Sequence, residues 1–167
     1  MRHTKFGRMN RPIVCHLEHA GDRWSMLILR DAFAGLTRFD QFQRNLGVAP
    51  NILARRLTAL VGAGLLEKRR YSESTPRHEY VLTTCGRDFR PVLVALQVWG
   101  NAHFAPEGKN VVTIDERTGM EVQPIVIDRL TGLALSDPAF RSVPGPAIPN
   151  RKRQEVGKTP GRQGAEA

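Results

Sequence analysis

The sequence predicts an α+β fold in which short helices precede a two-stranded hairpin and a longer helix, with a small β-hairpin appendage behind them. Three observations lead to this prediction. Apolar residues recur at helical spacing in the first part of the chain, a hairpin pattern follows, and the sequence Ile-Asp-x-x-Thr-Gly occurs twice after residue 110. A chain of 167 residues has room for one domain and an appendage, so a multi-domain enzyme is not expected.

The first helices are predicted from periodicity and from their stop signals. A short helix covers about Ile13–Ala20, and a longer one covers Asp22–Ala34, where apolar residues repeat at helical spacing before a glycine. Two further helices are joined by a short turn that contains Gly47, which is typical of a helix-turn-helix. The apolar faces of these two helices are formed by Phe39, Phe42 and Leu46, and then, over about residues 50–63 after Pro50, by Leu53, Leu57, Leu60 and Val61.

A β-hairpin and a final helix are predicted next. Residues 66–71 and 77–82 flank a polar tip and form the two strands. A long helix runs from Thr84 to about Phe104, and Pro91 is expected to bend it. Its apolar stripe is rich for a small domain, and this predicts a homodimer interface formed by Phe89, Val92, Leu96 and Trp99.

The remaining chain differs in character. Residues 105–142 contain the two Ile-Asp-x-x-Thr-Gly repeats, each predicted to be a hairpin that turns at its Thr-Gly pair. Residues 143–167 are rich in Pro, Gly, Arg and Lys, and we expect a disordered basic tail there. The predicted organisation is therefore a winged helix-turn-helix domain over residues 11–104, a β appendage and a tail.

The charge distribution indicates a nucleic-acid partner. The chain has 25 Lys and Arg against 16 Asp and Glu, a net charge of +9, and residues 1–104 hold 16 of these bases against 8 acids. Opposite the buried side of the fourth predicted helix lies a slim polar face that suits a major groove, and the hairpin forms a basic wing over about residues 66–82. DNA contact is predicted for Asn51, Arg55, Arg56 and Thr58 on that helix, and for Arg38, Lys68, Arg69, Arg70, Arg77 and His78 around it.

Other classes of protein are disfavoured. The chain contains no phosphate-binding loop, nucleophile elbow or metal-protease pair, so we expect no catalysis, no cofactor and no metal site. No apolar run is long enough to span a bilayer, and two cysteines fit a reducing compartment, so a cytoplasmic protein is expected. Two alternatives stay open beside sequence-specific DNA binding: an architectural binder that uses charge alone, and a ligand-sensing or protein-adaptor module built on the C-terminal repeats.

The residues of the predicted domain resemble the HxlR-type winged helix-turn-helix transcriptional regulators, which are relatives of the MarR group. The resemblance covers about Arg11 to Phe104 and implies a homodimer that binds a double-stranded DNA operator and regulates neighbouring genes, with an unknown small-molecule effector as a further candidate partner. The matching residues are Gly21-Asp22-Arg23-Trp24, Leu27-Ile28-Leu29-Arg30, Gly35, Arg38-Phe39, Ile52-Leu53, Arg56-Leu57, Gly64-Leu65, Pro76-Arg77-His78-Glu79-Tyr80, Leu82-Thr83, Gly86 and Trp99.

The chain departs from that family at one position. Members of the family often carry a Cys-Pro pair thirteen residues before the Trp of the Gly-x-x-Trp motif, and some sense oxidants through this cysteine. Here that place holds Arg11-Pro12, so redox sensing by the family's route is not expected. Cys15 lies about one helical turn further on and is the candidate redox residue of this chain.

Overall fold

The computed structural model describes residues 21–72, 77–143 and 145–146, and it has the predicted winged helix-turn-helix architecture. Three helices are followed by a two-stranded antiparallel hairpin and then by a short and a longer helix. The predicted first helix, Ile13–Ala20, and nearly all of the predicted tail lie outside the described residues. The elements are α1 (Arg23–Phe33), α2 (Phe39–Leu46), α3 (Pro50–Gly62), β1 (Leu66–Ser72), β2 (Arg77–Leu82), α4 (Thr84–Arg87) and α5 (Arg90–Phe104).

Local chemistry sets the ends of the first three helices. The Asp22 carboxylate accepts hydrogen bonds from the backbone N–H groups of Trp24 (3.0 Å) and Ser25 (3.3 Å), which satisfies donors that the first turn of α1 leaves open. Gly47 ends α2 in the left-handed conformation at φ 59°, where a side chain would be strained. Pro50 then begins α3 at a position that needs no backbone donor.

The core lies where α1, α2 and α3 meet the start of the hairpin. The apolar face predicted for α3 is confirmed, because its three leucines at positions 53, 57 and 60 have no exposed surface. A side chain of this kind contributes roughly 1.5–3 kcal/mol when it is fully buried, so this face fixes the rotation of α3 about its axis. The other fully buried apolar side chains are those of Ile28, Leu29 and Phe42, and Leu66 is 1% exposed.

The hairpin is joined to the helices by the backbone directly before α2. β1 and β2 pair from Leu66 opposite Leu82 to Ser72 opposite Arg77, as the sequence predicts. In addition, the carbonyl of Thr37 accepts a 2.7 Å hydrogen bond from the N–H of Tyr80, and Arg38 forms a β-bridge with Glu79. The turn before α2 is therefore hydrogen-bonded to β2, and the backbone at the start of α2 continues the pairing of the hairpin.

The single bent helix predicted from Thr84 to Phe104 is wrong, because two helices are present. α4 ends at Arg87 and α5 starts at Arg90, so Pro91 lies in the first turn of α5 and does not bend a continuous helix. The physical reason is that Pro91 cannot donate to the carbonyl four residues earlier and its ring would clash there. Phe89, between the two helices, is 8% exposed and packs in the core.

The two repeats form tight turns, each with a single β-bridge, rather than extended hairpins. In the first repeat Gly119 donates to the Asp115 carbonyl at 2.7 Å, and in the second Gly132 donates to the Asp128 carbonyl at 2.8 Å. Both glycines have positive φ, at 70° and 72°. A hydrogen bond from the Arg117 side chain lowers the pKa of Asp115, and one from Thr131 lowers the pKa of Asp128. The predicted turns at Thr-Gly are thus present, while the strands around them are very short.

The chain divides into two compact units, Met1–Pro124 and Ile125–Ala167. The first repeat belongs to the first unit and the second repeat to the second unit. In the part of the chain that the structure describes, no helix has both the length and the apolar character needed to cross a membrane.

Candidate nucleic-acid interface

One side of α3 is buried and the other side carries polar groups into solvent. Asn51, Arg55 and Thr58 are exposed, and they follow one another at spacings of four and three residues, so they share one face. Gly62 continues this face, and no heavy atom lies within 4 Å of the place where its Cβ would be. The result is a narrow polar surface whose orientation is fixed by the leucines behind it.

Two of these side chains already make hydrogen bonds within α3. The Thr58 hydroxyl donates to the Ala54 carbonyl at 2.9 Å, so its proton is committed and it presents acceptor lone pairs and a methyl group. The side-chain oxygen of Asn51 accepts from the N–H of Ile52 at 2.9 Å, which leaves its NH₂ group free to donate. The face can therefore both donate and accept, as readout of base edges requires.

The adjacent arginines of α3 have different environments. Arg55 is exposed, and within the described residues its guanidinium has no hydrogen-bond or ion-pair partner. Arg56, which the sequence grouped with it, is half-buried, and its Nε lies 3.2 Å from the Asp22 carboxylate. The angle does not satisfy a hydrogen bond, so the contact is an ion pair only. Arg56 is therefore placed as a link between α3 and the start of α1 rather than on the exposed face.

The wing presents several cations of unequal availability. Lys68 and Arg77 are exposed, and within the described residues neither side chain has a hydrogen-bond or ion-pair partner. Arg69 instead forms an ion pair with Glu67, which lies two residues earlier on the same side of β1. Arg70 is exposed and pairs in register with the half-buried His78 on β2. The wing is thus basic on its surface, and the charge of Arg69 is balanced by Glu67.

Arg38 lies between the helices and the wing. It is the N-cap residue of α2, and its guanidinium lies 4.8 Å from the ring centre of Tyr71 at the end of β1. Tyr71 is 39% exposed and was missed by the sequence reasoning. An aromatic residue directly after a run of three bases was the available signal. The stack holds the Arg38 side chain on the same side of the molecule as the end of the wing.

The four residues predicted to form the dimer interface do not lie on one surface in the structure. Phe89 belongs to the core, as described above, while Val92, Leu96 and Trp99 remain exposed on α5 at 48%, 47% and 53%. Their spacing of four and three residues puts them on one face. Trp99 also contacts the ring of Phe104, with ring centres 5.0 Å apart. This face is apolar and available to another surface.

Two predictions concern cysteine and metal ligands. Cys15 lies outside the described residues, and Cys85 is exposed on α4 as a free thiol. Across residues 21–72, 77–143 and 145–146, no group of three or more His, Cys, Asp or Glu side chains is arranged to hold a metal ion.

The comparisons with known proteins agree with this geometry. The HxlR-like helix-turn-helix family matches residues 19–108. An uncharacterised HTH-type transcriptional regulator of Mycobacterium tuberculosis is 39% identical over 133 residues, which covers 79% of this chain and 84% of the relative. That match is too long to end at residue 108, so the likeness continues past the family's domain into the appendage.

Two solved structures are also similar. PA1607, a proposed transcription factor, superposes with a TM-score of 0.74 at 40% identity, over 83% of this chain and 98% of that one. PA1374 of Pseudomonas aeruginosa, described in the same terms, gives a TM-score of 0.62 at 43% identity, over 87% of this chain and 99% of that one. The family and the M. tuberculosis relative are transcriptional regulators rather than enzymes. The chain thus belongs to the HxlR-like helix-turn-helix family and is a DNA-binding transcriptional regulator.

Proposed function

We propose that this regulator acts as a homodimer that recognises a specific operator, with α3 in the major groove and the hairpin β1–β2 on phosphates or in the minor groove. The observation that carries the proposal is the exposed face of Asn51, Arg55 and Thr58 on a helix whose opposite side is fully buried. A major groove about 12 Å wide admits such a helix, and these side chains can address base edges.

The same face favours sequence-specific recognition over architectural binding. A protein that binds DNA through charge alone needs lysines and arginines at the backbone, and the wing supplies these. It has no use for the Asn51 amide or for a Thr58 hydroxyl oriented by its bond to Ala54. The mixture of donor, acceptor and methyl groups on α3 is the chemistry that distinguishes base pairs.

Protection mapping on the DNA upstream of the gene and its neighbours tests this proposal. We expect two protected half-sites whose centres lie about one helical turn apart, roughly 34–36 Å, because one α3 and one wing cover only a few base pairs. Random DNA of the same length should bind far more weakly at physiological salt. Equal affinity for upstream and random DNA would refute sequence-specific recognition.

Dimerisation is proposed to use the exposed face of α5. Val92, Leu96 and Trp99 form an apolar row, and burying such a row against a second copy removes its surface from water. Leu96→Lys should convert the dimer to a monomer in sedimentation experiments, whereas Leu130→Lys, at a side chain that is 90% exposed on the second repeat, should not. A wild-type protein that is monomeric at micromolar concentration, with and without DNA, would contradict the proposal.

A further inference from the structure

A cleft of about 310 Å³ lies between α1, α5 and the segment that leads into the first repeat. All of its lining residues fall within the unit Met1–Pro124. Its apolar part is formed by Phe33 of α1, Leu93 and Val94 of α5, and Val112 and Ile114 of the following segment. A volume near the lower end of the roughly 300–1,000 Å³ range of small-molecule sites suits a compact ligand with an apolar body.

Two hydrogen bonds hold the segment that leads into the first repeat against α5. The side-chain amides of Gln97 and Asn101, one turn apart on α5, both donate to the carbonyl of Val111, at 3.1 and 2.8 Å. The backbone that continues to Val112 and Ile114 is therefore seated against the helix. The cleft exists without a ligand, so binding need not form it.

The charged residues of the lining differ in what they can still bind. Arg30 is paired with Asp31 at 2.7 Å, and that carboxylate is buried. Arg90, at the start of α5, also lines the cleft, and no hydrogen bond or ion pair engages its guanidinium within the described residues. Glu116 is the one acidic residue of the lining. An unpaired guanidinium beside an apolar surface suits a carboxylate, which it can bind with two hydrogen bonds.

We propose that this cleft is an effector site for a small carboxylate with an apolar body, which binds its carboxylate at Arg90 and its body against the apolar lining. The effect on DNA rests on the function proposed above. α1, which forms one wall, is tied to α2 by the 2.8 Å hydrogen bond from Asn45 to Asp31 and to α3 by the ion pair of Asp22 with Arg56. A ligand bound between α1 and α5 therefore contacts the helix that holds both α2 and α3, the two helices of the helix-turn-helix, and it changes operator affinity.

Calorimetric titration of the full chain without DNA tests the site itself. The probe is 4-phenylbutyrate, and its neutral amide, 4-phenylbutyramide, is the comparison. We expect saturable binding of the acid and binding of the amide about tenfold weaker, because the amide lacks the charge that Arg90 recognises. Arg90→Gln should remove this preference, whereas Arg129→Gln, which makes the same change outside the lining, should keep it. Glu116→Gln should tighten binding of the acid several-fold, because it removes a like charge.

A second variant, checked by circular dichroism, distinguishes a blocked cleft from a loss of binding that is caused by unfolding. Ala34→Trp places a large side chain in the cleft from the exposed end of α1, and it should abolish binding of both probes while circular dichroism stays unchanged. Absence of saturable binding at millimolar probe would overturn the proposal. Binding that survives both Ala34→Trp and Arg90→Gln would also overturn it, because the probe would then occupy another surface, such as the apolar face of α5.

Measurements of operator affinity distinguish a failure of the effector site from a failure of the proposed function. Saturating 4-phenylbutyrate should change operator affinity of the wild type at least about threefold, and it should leave Ala34→Trp unaffected. An unchanged wild-type affinity, with the probe bound in the cleft, would overturn the effector role. If no upstream DNA is bound in the absence of probe, the proposed operator recognition fails, and the calorimetric result still decides whether the site exists.

Discussion

Replacing the two adjacent arginines of α3 one at a time should produce two different defects. Arg55 is exposed and unpartnered in the described structure, while Arg56 is 29% exposed and forms an ion pair with Asp22. A bidentate arginine–guanine contact is worth about 1–3 kcal/mol of discrimination, so Arg55→Ala should reduce the preference for operator over random DNA by roughly 5- to 150-fold. The free energy of unfolding should stay within about 0.5 kcal/mol of the wild type.

Arg56→Ala should show the opposite pattern. Its ion pair is intermediate between exposed pairs, worth about 0–1 kcal/mol, and fully buried ones, whose disruption costs about 3–5 kcal/mol, so a loss of about 1–2 kcal/mol of stability is expected. Asp22 keeps its bonds to the backbone of α1, which limits the loss. Arg56→Met should recover part of the stability, because it restores the apolar stem without the charge.

Urea unfolding and fluorescence anisotropy on operator and random duplexes measure these two quantities in the same preparations. Arg55→Lys is a sharper control than alanine, because lysine keeps the charge and loses the planar fork, so discrimination should fall while affinity for random DNA is retained. The reasoning is refuted if Arg55→Ala weakens both duplexes equally. It is equally refuted if Arg56→Ala lowers discrimination and leaves stability unchanged.

Three further predictions concern packing, oxidation and the appendage. A Cβ at Gly86 would lie 2.0 Å from the Leu65 carbonyl oxygen, so Gly86→Ala should lower the free energy of unfolding by roughly 3 kcal/mol or more in thermal unfolding. Gly62→Ala, with open space around it, should raise that free energy by about 0.5–1 kcal/mol, and equal effects of the two variants would contradict the packing. Peroxide should leave operator binding unchanged, because Arg11 stands where the family's cysteine would be, and a loss of binding that Cys15→Ser escapes would show that prediction to be wrong. Truncation after Ser142 should reduce affinity for operator and random DNA alike, because it removes basic residues. Truncation after Phe104 should keep operator recognition. If the protein truncated after Phe104 is soluble and dimeric but no longer recognises the operator, the repeats take part in recognition.

The elements that the sequence predicted well are those whose limits depend on local chemistry. Asp22 caps α1 through bonds to residues two and three positions ahead, and Gly47 and Pro50 mark the turn between α2 and α3 without help from distant residues. The two strands of the hairpin could likewise be predicted from the polar tip between them, whereas the irregularity in their register between Arg70 and Ser72 was not predicted. The exposed face of α3 could be predicted because helical periodicity fixes which residues lie opposite Leu53.

What could not be predicted depends on tertiary contacts or on a choice that local rules leave open. A proline near a helix start and a proline inside a bent helix give the same apolar spacing, so the sequence did not show that α5 begins next to Pro91 and that Phe89 lies between two helices in the core. Helical periodicity puts Arg55 on the exposed face of α3 and Arg56 on its flank, but it does not show that α1 brings Asp22 to Arg56. The stack of Arg38 on Tyr71 likewise requires the hairpin to fold back toward α2.

The hydrogen bond from Tyr80 to the Thr37 carbonyl and the bridge between Arg38 and Glu79 have a consequence for the DNA target. They tie the start of α2 to β2, and the short turn that ends α2 at Gly47 leads directly into α3, so the hairpin and α3 are held on one framework. A duplex advances about 3.4 Å per base pair and makes a full turn in about 10–10.5 base pairs. In the complex proposed above, one base pair inserted between the bases contacted by α3 and the backbone contacted by the hairpin would rotate one contact away from the other. We therefore expect operator affinity to depend on the spacing between these two contacted regions as well as on their base sequence.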